Sequence, residues 1–430
     1  MKNIDYKDIS IDEMMFELKR ENENSVEESV RGVIEYIRNA GDEAVIKYSQ
    51  LFDGIEQDKS SLFWTKEQLE EYVLTIESNI SNELKQAVKT AINNIEYFAK
   101  KSKPNDWLEK APSGHMFGEK FNAIDSVACY IPGGSFPLAS TVLHTVVVAK
   151  TVGVKNVIIV TPPNNDTLNP TIAYCALEAG ADGVVFAGGA QAIAAVSYGT
   201  ETIPKVDFIC GPGNQYVSFA KKLVFGDVGI DMIAGPSEVF IVADDSANAY
   251  ELACDLMAQA EHGSGFESSV IISTSEILLS KVIEEVKLLM ANYENINNVV
   301  NVFDNYMFAI KVETIDEAIE IVNEYAPEHV EIITKNSKLD SKKVIRAGAV
   351  FVGKYSPEPI GDYIAGPSHV LPTNSTARFS SGISASTFMT RTSIIDVDVD
   401  SYTQLSENAK IFGDLEGLVG HSKSATSRYE

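Results

Sequence analysis

Four of the six histidines in this 430-residue chain lie beside acids, amides or glycines, as catalytic and metal-binding imidazoles often do. Gln259 and His262 are three positions apart at the end of a predicted helix, so one ion could contact both side chains. Gly263 would cap that helix. Taken alone, such a pair is more often a capped surface turn, so other segments must complete a site.

Glu328 and His329 are neighbours in the sequence YAPEH. Adjacent side chains diverge, so this pair is poorly suited to bind one ion and better suited to two separate proton-transfer roles. Pro327 is expected to keep Ala326 extended and to end the preceding helix. A solvated loop is the alternative interpretation of the same residues.

Asp362 and His369 lie in a segment, 354–381, that is rich in glycine, proline and serine, and Glu416 and His421 lie near the C-terminus. Long segments of this composition are often functional in enzymes. A glutamine, two histidines and an aspartate from separate segments could enclose a cation. Because the set contains no thiolate, we expect zinc first, with manganese or cobalt as substitutes.

Hydrophobic periodicity predicts the elements that must position these residues. Residues 27–38 and 82–101 predict amphipathic helices in an N-terminal helical segment. From residue 126 on, β-branched runs alternate with helical patterns. The predicted strands are 127–131, 157–160, 183–186, 208–210, 239–242, 270–273, 308–312, 330–334 and 349–352. The later predicted helices are 141–152, 170–179, 214–225, 247–261, 276–293, 315–324, 339–346 and 402–430.

Glycine clusters follow three strands of the first series, in YIPGG (130–134), AGGAQ (187–191) and GPGN (211–214). Such turns let a ligand approach the backbone, and the helix N-terminus that follows favours an anionic group. None matches G-x-G-x-x-G, and each alone could be an ordinary tight turn. Three in one sheet favour a ligand site, and a dinucleotide would fit across the carboxyl ends of these strands.

The pattern as a whole predicts an α/β protein with two Rossmann-like parallel-sheet domains, an N-terminal helical segment and a small C-terminal helical tail. The predicted divisions are residues 1–125 for the helical segment, 126–243 for an NAD-binding α/β domain, 244–380 for a second α/β domain with the metal and catalytic loops, and 381–430 for the tail.

Lys and Arg total 35 against 61 Asp and Glu, a net charge of -26, so the chain lacks the basic surface that nucleic acids require. No signal-like or membrane-spanning apolar run occurs. The four cysteines lie far apart, which is typical of reduced thiols in the cytoplasm. We expect a cytoplasmic protein with a small-molecule substrate and no nucleic-acid or membrane partner.

The fragments together resemble the histidinol dehydrogenase family, in the family's order and over nearly the whole chain from about residue 30. Any one motif is modest, but the ordered set is highly specific. The matching stretches are YIPGGSFPLASTVL, GGAQAIAA, GPGN, AGPSEV, AQAEHG, NEYAPEHVEI, GDYIAGP, SHVLPT, TARFSSG and EGLVGH.

The resemblance implies roles for particular residues. It implies a zinc site, one ion per subunit, of Gln259, His262, Asp362 and His421. It implies NAD contacts from Tyr130, Gln191 and Asn214, and proton transfer by Glu328 and His329. It implies substrate contacts from Ser237, Gln259, His262, His329, Asp362, His369, Glu416 and His421. It also implies a homodimer with shared active sites, in which the tail would reach the partner's site.

The activity that the resemblance implies is the four-electron, NAD-linked oxidation of L-histidinol to L-histidine through a bound aldehyde. One alternative is a related enzyme that oxidises another polar alcohol, such as an amino alcohol or a sulfonated diol. A non-catalytic metal- or ligand-binding protein of the same fold is a further alternative. A zinc hydrolase would be expected to carry H-E-x-x-H or a nucleophile elbow, which this sequence lacks.

The sequence departs from the family pattern near the expected substrate. His144 stands where an apolar residue, often Met, is usual, Ser368 replaces Asn, and Gly420 replaces Ala. The turn 263–270 is longer than usual. From its apolar helical surroundings, His144 is predicted to be a structural or surface residue, as is His115 in its loop.

Overall fold

The structure is a computed structural model that describes residues 1–18, 26–133, 137–164, 167–293 and 296–428. Residues 19–25 of the predicted N-terminal segment and Gly134 of the first glycine turn lie outside these ranges. The strands of the described ranges are β1 (Lys2–Asp5), β2 (Phe63–Thr65), β3 (Trp107–Lys110), β4 (Met116–Ala123), β5 (Ser126–Tyr130), β6 (Asn156–Thr161), β7 (Gly183–Phe186), β8 (Phe208–Cys210), β9 (Gly229–Ile230), β10 (Glu238–Ala243), β11 (Ser268–Ser273), β12 (Met307–Lys311), β13 (His329–Ile333), β14 (Ala349–Val352) and β15 (Met389–Asp396).

The α-helices of the described ranges are α1 (Ile11–Leu18), α2 (Glu27–Ala40), α3 (Asp42–Tyr48), α4 (Lys66–Ile76), α5 (Asn82–Ser102), α6 (Ala139–Val142), α7 (Val148–Val152), α8 (Pro170–Ala179), α9 (Gly189–Tyr198), α10 (Gln215–Val224), α11 (Ala249–Ala260), α12 (Glu276–Met290), α13 (Ile296–Asn305), α14 (Ile315–Tyr325), α15 (Ser337–Asp340), α16 (Glu358–Ile360), α17 (Val399–Leu415) and α18 (Val419–Thr426). A π-helical turn, Leu143–Val147, joins α6 to α7. A second π-helical turn, Gly361–Ala365, follows α16.

The first sheet has the strand order β2-β7-β6-β5-β8-β9 and is parallel except for β2. Its β-branched strands are buried, as is typical of a parallel sheet with helices on both faces. Helices α2, α9 and α10 cover one face, while α4, α5 and α8 cover the other. The strand order reverses between β5 and β8, which is where open α/β sheets bind ligands.

The second sheet has the order β1-β12-β11-β10-β13-β14 and is parallel throughout. Helices α11, α12 and α13 pack on one face, and α1 and α14 pack on the other. The two predicted parallel-sheet units are therefore confirmed, with their predicted strands in place.

Most of the described N-terminal segment is helical, as predicted, but residues 107–123 form β3 and β4 instead, and the segment also supplies an edge strand to each parallel sheet. β1 pairs with β12 in the second sheet, and β2 pairs with β7 in the first. Hydrophobic periodicity does not indicate such short edge strands, because their pairing partners lie far away in sequence. The predicted divisions at residues 125, 243 and 380 stay a prediction.

The C-terminal tail begins with an antiparallel strand and continues as helices. β15 pairs with β4, which also pairs with β3, in a small third sheet. Helices α17 and α18 follow; α17 begins at Val399, three residues before the predicted helical range 402–430, and α18 lies within that range. The predicted helix 339–346 is wrong beyond Lys343, because Val344 is extended (φ -76°, ψ 116°). None of the helices in the described ranges is both long and apolar enough to cross a lipid bilayer.

Candidate active site

The predicted proton-transfer pair lies at the amino-terminal edge of the second sheet, where β13 begins at His329. The N–H of Glu238 donates to Glu328 Oε2 at 2.9 Å, and the carbonyl oxygen of Glu238 lies 2.9 Å from His329 Nδ1. That carbonyl can only accept, so we assign the ring proton to Nδ1. His329 Nε2 is left as the acceptor, and it is buried with no hydrogen-bond partner among the described residues.

The turn that leads to this pair differs from the prediction. Ala326 has φ 60° and ψ 64°, so the expectation of an extended residue before Pro327 is wrong. Its N–H donates to the carbonyl oxygen of Val322 at 2.7 Å and caps α14. A left-handed residue satisfies the last helical carbonyls, and here that requirement outweighs the bias that proline places on its neighbour.

Three carboxylates surround the ring of His329. Asp362 Oδ1 lies 3.6 Å from Nε2, while Glu328 Oε2 and Glu358 Oε1 lie 3.6 Å and 3.7 Å from Nδ1. Glu358 and Asp362 come from α16 and the π-helical turn after it, so the segment 354–381 contributes two of these acids. Glu358 is not among the predicted site residues, although it lies in that segment.

Burial and charge shift the acidities of this cluster. Burial raises the pKa of Glu328 to about 7 and the pKa of Glu358 to about 8, although His329 lowers both. Burial by itself lowers the pKa of His329, but Glu358, Glu328 and Asp362 outweigh it and raise that pKa well above its ordinary value. Burial opposes ionisation of Asp362, yet His329, His369 and His262 lower its pKa. More acids than cations are therefore buried together.

The predicted metal ligands Gln259, His262 and Asp362 meet at this cluster. Ligand atoms of His262, Glu358 and Asp362 all lie within 4.8 Å of one another. Gln259 is fully buried, and its amide nitrogen can donate to Glu358 at 3.0 Å from Oε1 and 3.2 Å from Oε2. His262 Nδ1 lies 3.1 Å from the carbonyl oxygen of Gln259, so its Nε2 is the atom left for a ligand.

A divalent cation fits this donor set. Imidazole nitrogen with carboxylate and amide oxygens suits zinc, manganese or cobalt. Asp362, Glu358 and Glu328 place several acids in one buried region, where a cation would offset the cost of their ionisation.

Two predicted substrate contacts flank the cluster. Ser237 directly precedes β10 and is half-buried at the same edge of the second sheet. His369 Nδ1 lies 2.7 Å from the carbonyl oxygen of Asp362, and its Nε2 lies 3.1 Å from Thr141 Oγ1. The His369 side chain thereby links the Asp362 segment to α6 of the first α/β unit.

Glu416 and His421 are not brought to this cluster. Glu416 caps the end of α17, and His421 lies on α18; both are exposed. Helices α17 and α18 pack on each other. Within the described ranges, neither residue belongs to the group that contains His262 and Asp362.

The predicted nucleotide contacts lie at the carboxyl ends of the first sheet. Tyr130 ends β5, and its hydroxyl accepts the N–H of Gly189 at 3.1 Å. Gln191 Nε2 lies 3.5 Å from Asp53 Oδ2, which places an acid that was not predicted beside this region. Asn214 caps α10 through Oδ1, which accepts the N–H of Val217 at 3.1 Å.

The loop before Asn214 needs glycine. Gly211 has φ +111°, and a Cβ there would lie 2.2 Å from the carbonyl oxygen of Tyr130. The backbone of this loop therefore passes closer to β5 than any side chain would allow. Tyr130 and Asn214 flank the point between β5 and β8 where the strand order reverses.

Comparisons with known proteins agree with this geometry. The family model described as "Histidinol dehydrogenase" matches residues 17–429. Histidinol dehydrogenase of Bacillus subtilis (strain 168) is 42% identical over 415 residues, which is 96% of this chain and 96% of the relative. Histidinol dehydrogenase of Clostridium acetobutylicum is 41% identical over 403 residues, 94% of this chain and 92% of the relative.

A solved structure supports the same assignment at the level of the fold. The crystal structure of histidinol dehydrogenase from Elizabethkingia anophelis superposes with a TM-score of 0.93 at 33% identity, covering 100% of this chain and 98% of that one. The chain therefore belongs to the histidinol dehydrogenase family and is an oxidoreductase of that family.

Proposed function

We propose that this chain oxidises L-histidinol to L-histidine with NAD⁺ as the hydride acceptor and one zinc ion bound by Gln259, His262 and Asp362. The observation that carries this proposal is His329 Nε2, a buried nitrogen without a hydrogen-bond partner among the described residues, 3.6 Å from Asp362. The three carboxylates favour the protonated ring, and a bound cation that offsets their charge would favour the neutral ring, in which Nε2 is a free acceptor for the proton of an alcohol.

His329 would remove the first proton. Nδ1 is committed to the carbonyl oxygen of Glu238, so the ring orientation is set and Nε2 faces the reacting alcohol. As the alcohol O–H proton passes to Nε2, a hydride leaves the same carbon and an aldehyde forms. NAD⁺, when bound, accepts this hydride on its nicotinamide ring.

Glu328 would activate water for the second oxidation. A pKa of about 7 suits a general base near neutral pH. Glu328 takes a proton from water, whose oxygen adds to the aldehyde carbon, and the hydrate loses a second hydride to a second NAD⁺. One alcohol, one water and two NAD⁺ thus give one carboxylate, two NADH and three protons.

Gln259, His262 and Asp362 would hold the metal, and Glu358 lies within reach of the same position. When bound, zinc would offset the carboxylate charges around His329 and hold the amine and imidazole nitrogens of the substrate. Glu416, an acid, would pair with the substrate ammonium group.

Tyr130, Gln191 and Asn214 would bind the dinucleotide. Tyr130 and Asn214 flank the point where the strand order reverses, and Gln191 and Asn214 lie at helix N-termini, which favour phosphate. The close approach of Gly211 to β5 keeps this edge open for a ligand.

The chain would act as a homodimer with shared sites, and the exposed apolar surface of the tail supports this. Large apolar side chains are exposed along β15, α17 and α18, and exposed apolar surface is a mark of protein interfaces. They include Ile395, Val399, Ile411, Phe412, Leu415 and Val419. Glu416 and His421 lie on the same tail and would complete the partner's site.

The direct test is NADH formation by zinc-loaded protein with L-histidinol and NAD⁺. We expect two NADH for each histidine released, followed at the NADH absorbance band. A parallel panel of amino alcohols and diols separates L-histidinol from other polar alcohols. Absence of NADH growth with L-histidinol, while another alcohol in the panel is oxidised, would assign a different substrate to this site.

The metal assignment has its own test. Asp362→Ala should lose bound zinc, because it removes a central donor, whereas the exposed Asp245→Ala should keep it. Elemental analysis of both purified variants measures the metal content. Full zinc occupancy in Asp362→Ala would contradict the proposed site.

A further inference from the structure

His144 is an anomaly next to the candidate site. It lies in the π-helical turn Leu143–Val147 and is 0% exposed, so of the two predicted positions, structural or surface, the surface position does not hold. Within the described part of the chain, neither of its ring nitrogens has a hydrogen-bond partner. Proteins rarely bury a polar side chain in this way, and each exception calls for an explanation.

A neutral imidazole offers one donor and one acceptor, and both ring nitrogens of His144 are buried. A buried donor or acceptor without a partner costs about 1–3 kcal/mol. The unpaired imidazole therefore destabilises the folded chain at a position that an apolar residue could fill.

The contacts that indicate a role for His144 are all with the segment that contains Asp362. The His144 and His369 ring centroids are 4.5 Å apart, with the planes tilted by 33°. The backbone of Asp362 and Tyr363 lies beside the His144 ring, although outside hydrogen-bonding geometry. Ser368 Oγ donates to the carbonyl oxygen of His144 at 3.1 Å, which ties its helix to the same segment.

The His144 side chain of one π-helical turn therefore lies beside the backbone of another, which carries Asp362. Such turns are frequent at functional sites. The backbone of Asp362 and Tyr363, in the second of these turns, is therefore the nearest identified partner for the unpaired His144 ring nitrogens.

We propose that His144 is a positioning residue for Asp362. When the site holds a divalent cation, the His144 ring hydrogen-bonds to the Gly361–Ala365 turn. This inference rests on the metal site of the proposed function. His144 does not contact the ion; it stabilises the turn that presents the Asp362 carboxylate.

Zn²⁺ affinity of the full chain, measured by competition with a chromogenic chelator, tests this role. His144→Met removes the hydrogen-bonding group at similar volume, while His144→Asn and His144→Gln each keep one near a ring-nitrogen position. We expect His144→Met to bind Zn²⁺ about tenfold more weakly, the loss of one hydrogen bond, and at least one amide variant to stay within about threefold of the wild type. His115→Met, in a distant loop, is the matched control and should bind like the wild type.

The metal-free variants supply the second readout. His144→Met should melt at or above the wild-type temperature, because it replaces an unpaired polar group. Lower stability of that variant, unchanged Zn²⁺ affinity, or equal losses in all three variants would each overturn the positioning role. Wild-type protein that binds no Zn²⁺ would instead overturn the proposed metal site itself.

Discussion

At the scale of single residues, one hydrogen bond decides which nitrogen of His329 can accept a proton. The carbonyl oxygen of Glu238 takes the Nδ1 proton and leaves Nε2 unpartnered among the described residues. Glu328 accepts a hydrogen bond from the N–H of Glu238, so the start of β10 orients both Glu328 and His329. Neighbours in sequence thereby acquire separate roles, one toward the alcohol and one toward water.

Replacing His329 tests the first role. His329→Asn should lower turnover by about 10²- to 10⁴-fold, because no acceptor remains for the alcohol proton. NADH binding, followed by its fluorescence, should persist because Tyr130 and Gln191 lie on β5 and α9 of the first α/β unit, whereas His329 lies on the second sheet. Turnover equal to the wild type would show that another group is the base; His115→Asn serves as the control.

Replacing Glu328 tests whether burial raises its pKa, because a raised pKa makes the free energy of unfolding depend on pH. Its folded pKa of about 7 exceeds the ordinary 4.5, so its contribution to stability is present below pH 4.5 and is lost as pH rises to about 7. Glu328→Gln should therefore match the wild type near pH 5 and exceed it at pH 8 by up to about 3 kcal/mol in unfolding free energy. Denaturant titrations at the two pH values measure this, and a less stable variant at pH 8 would refute the burial argument.

At the scale of elements, a buried ion pair fixes the loop between β8 and α10. Lys221 is 2% exposed, forms an ion pair with Asp231, and donates to the carbonyl oxygen of Gly211 at 2.9 Å. Asp231 Oδ2 in turn accepts the N–H of Gly211 at 2.8 Å. The charges position the loop that leads to Asn214.

Breaking the Lys221–Asp231 ion pair should lower the free energy of unfolding more than removing a surface charge does. Lys221→Met leaves Asp231 buried and uncompensated, so we expect a loss of about 3–5 kcal/mol in unfolding free energy and weaker NADH binding. Lys222→Met, at the adjacent exposed position, should cost less than about 1 kcal/mol. Urea unfolding compares the two, and similar losses would mean that the buried pair has no special role.

At the scale of the whole molecule, the site lies where two sheets present opposite ends. The carboxyl ends of the first sheet carry the predicted nucleotide loops, while the amino end of the second sheet carries Glu328 and His329. The Thr141–His369 contact bridges the two units. The tail carries Glu416 and His421 on an exposed surface, apart from the group of His262 and Asp362.

Mixing two inactive variants tests whether the tail completes a partner's site. Asp362→Ala and His421→Ala should each be inactive, and reassociation of an equal mixture should restore about a quarter of the sites, since half the dimers are mixed and each mixed dimer has one intact site. NADH formation before and after mixing measures the recovery. A mixture that stays inactive despite subunit exchange would place both residues in one subunit's site.

Local pattern in the sequence determined most of the fold. The strands at 183–186, 208–210 and 349–352 and the helix at 170–179 match their predicted ranges, because apolar periodicity, glycine and capping residues act within a few positions. The motifs that indicate the family are equally local. The sequence by itself therefore identifies the candidates Gln259, His262, Glu328, His329 and Asp362.

Tertiary structure alone decided which side chains meet. The pairing of β15 with β4 joins residues more than 260 positions apart, and no local periodicity specifies that register. Glu358 joins the acids around His329, and His144 lies against His369, only because distant segments pack together. Burial and proximity to charge set the behaviour of these groups, and both are properties of the folded chain.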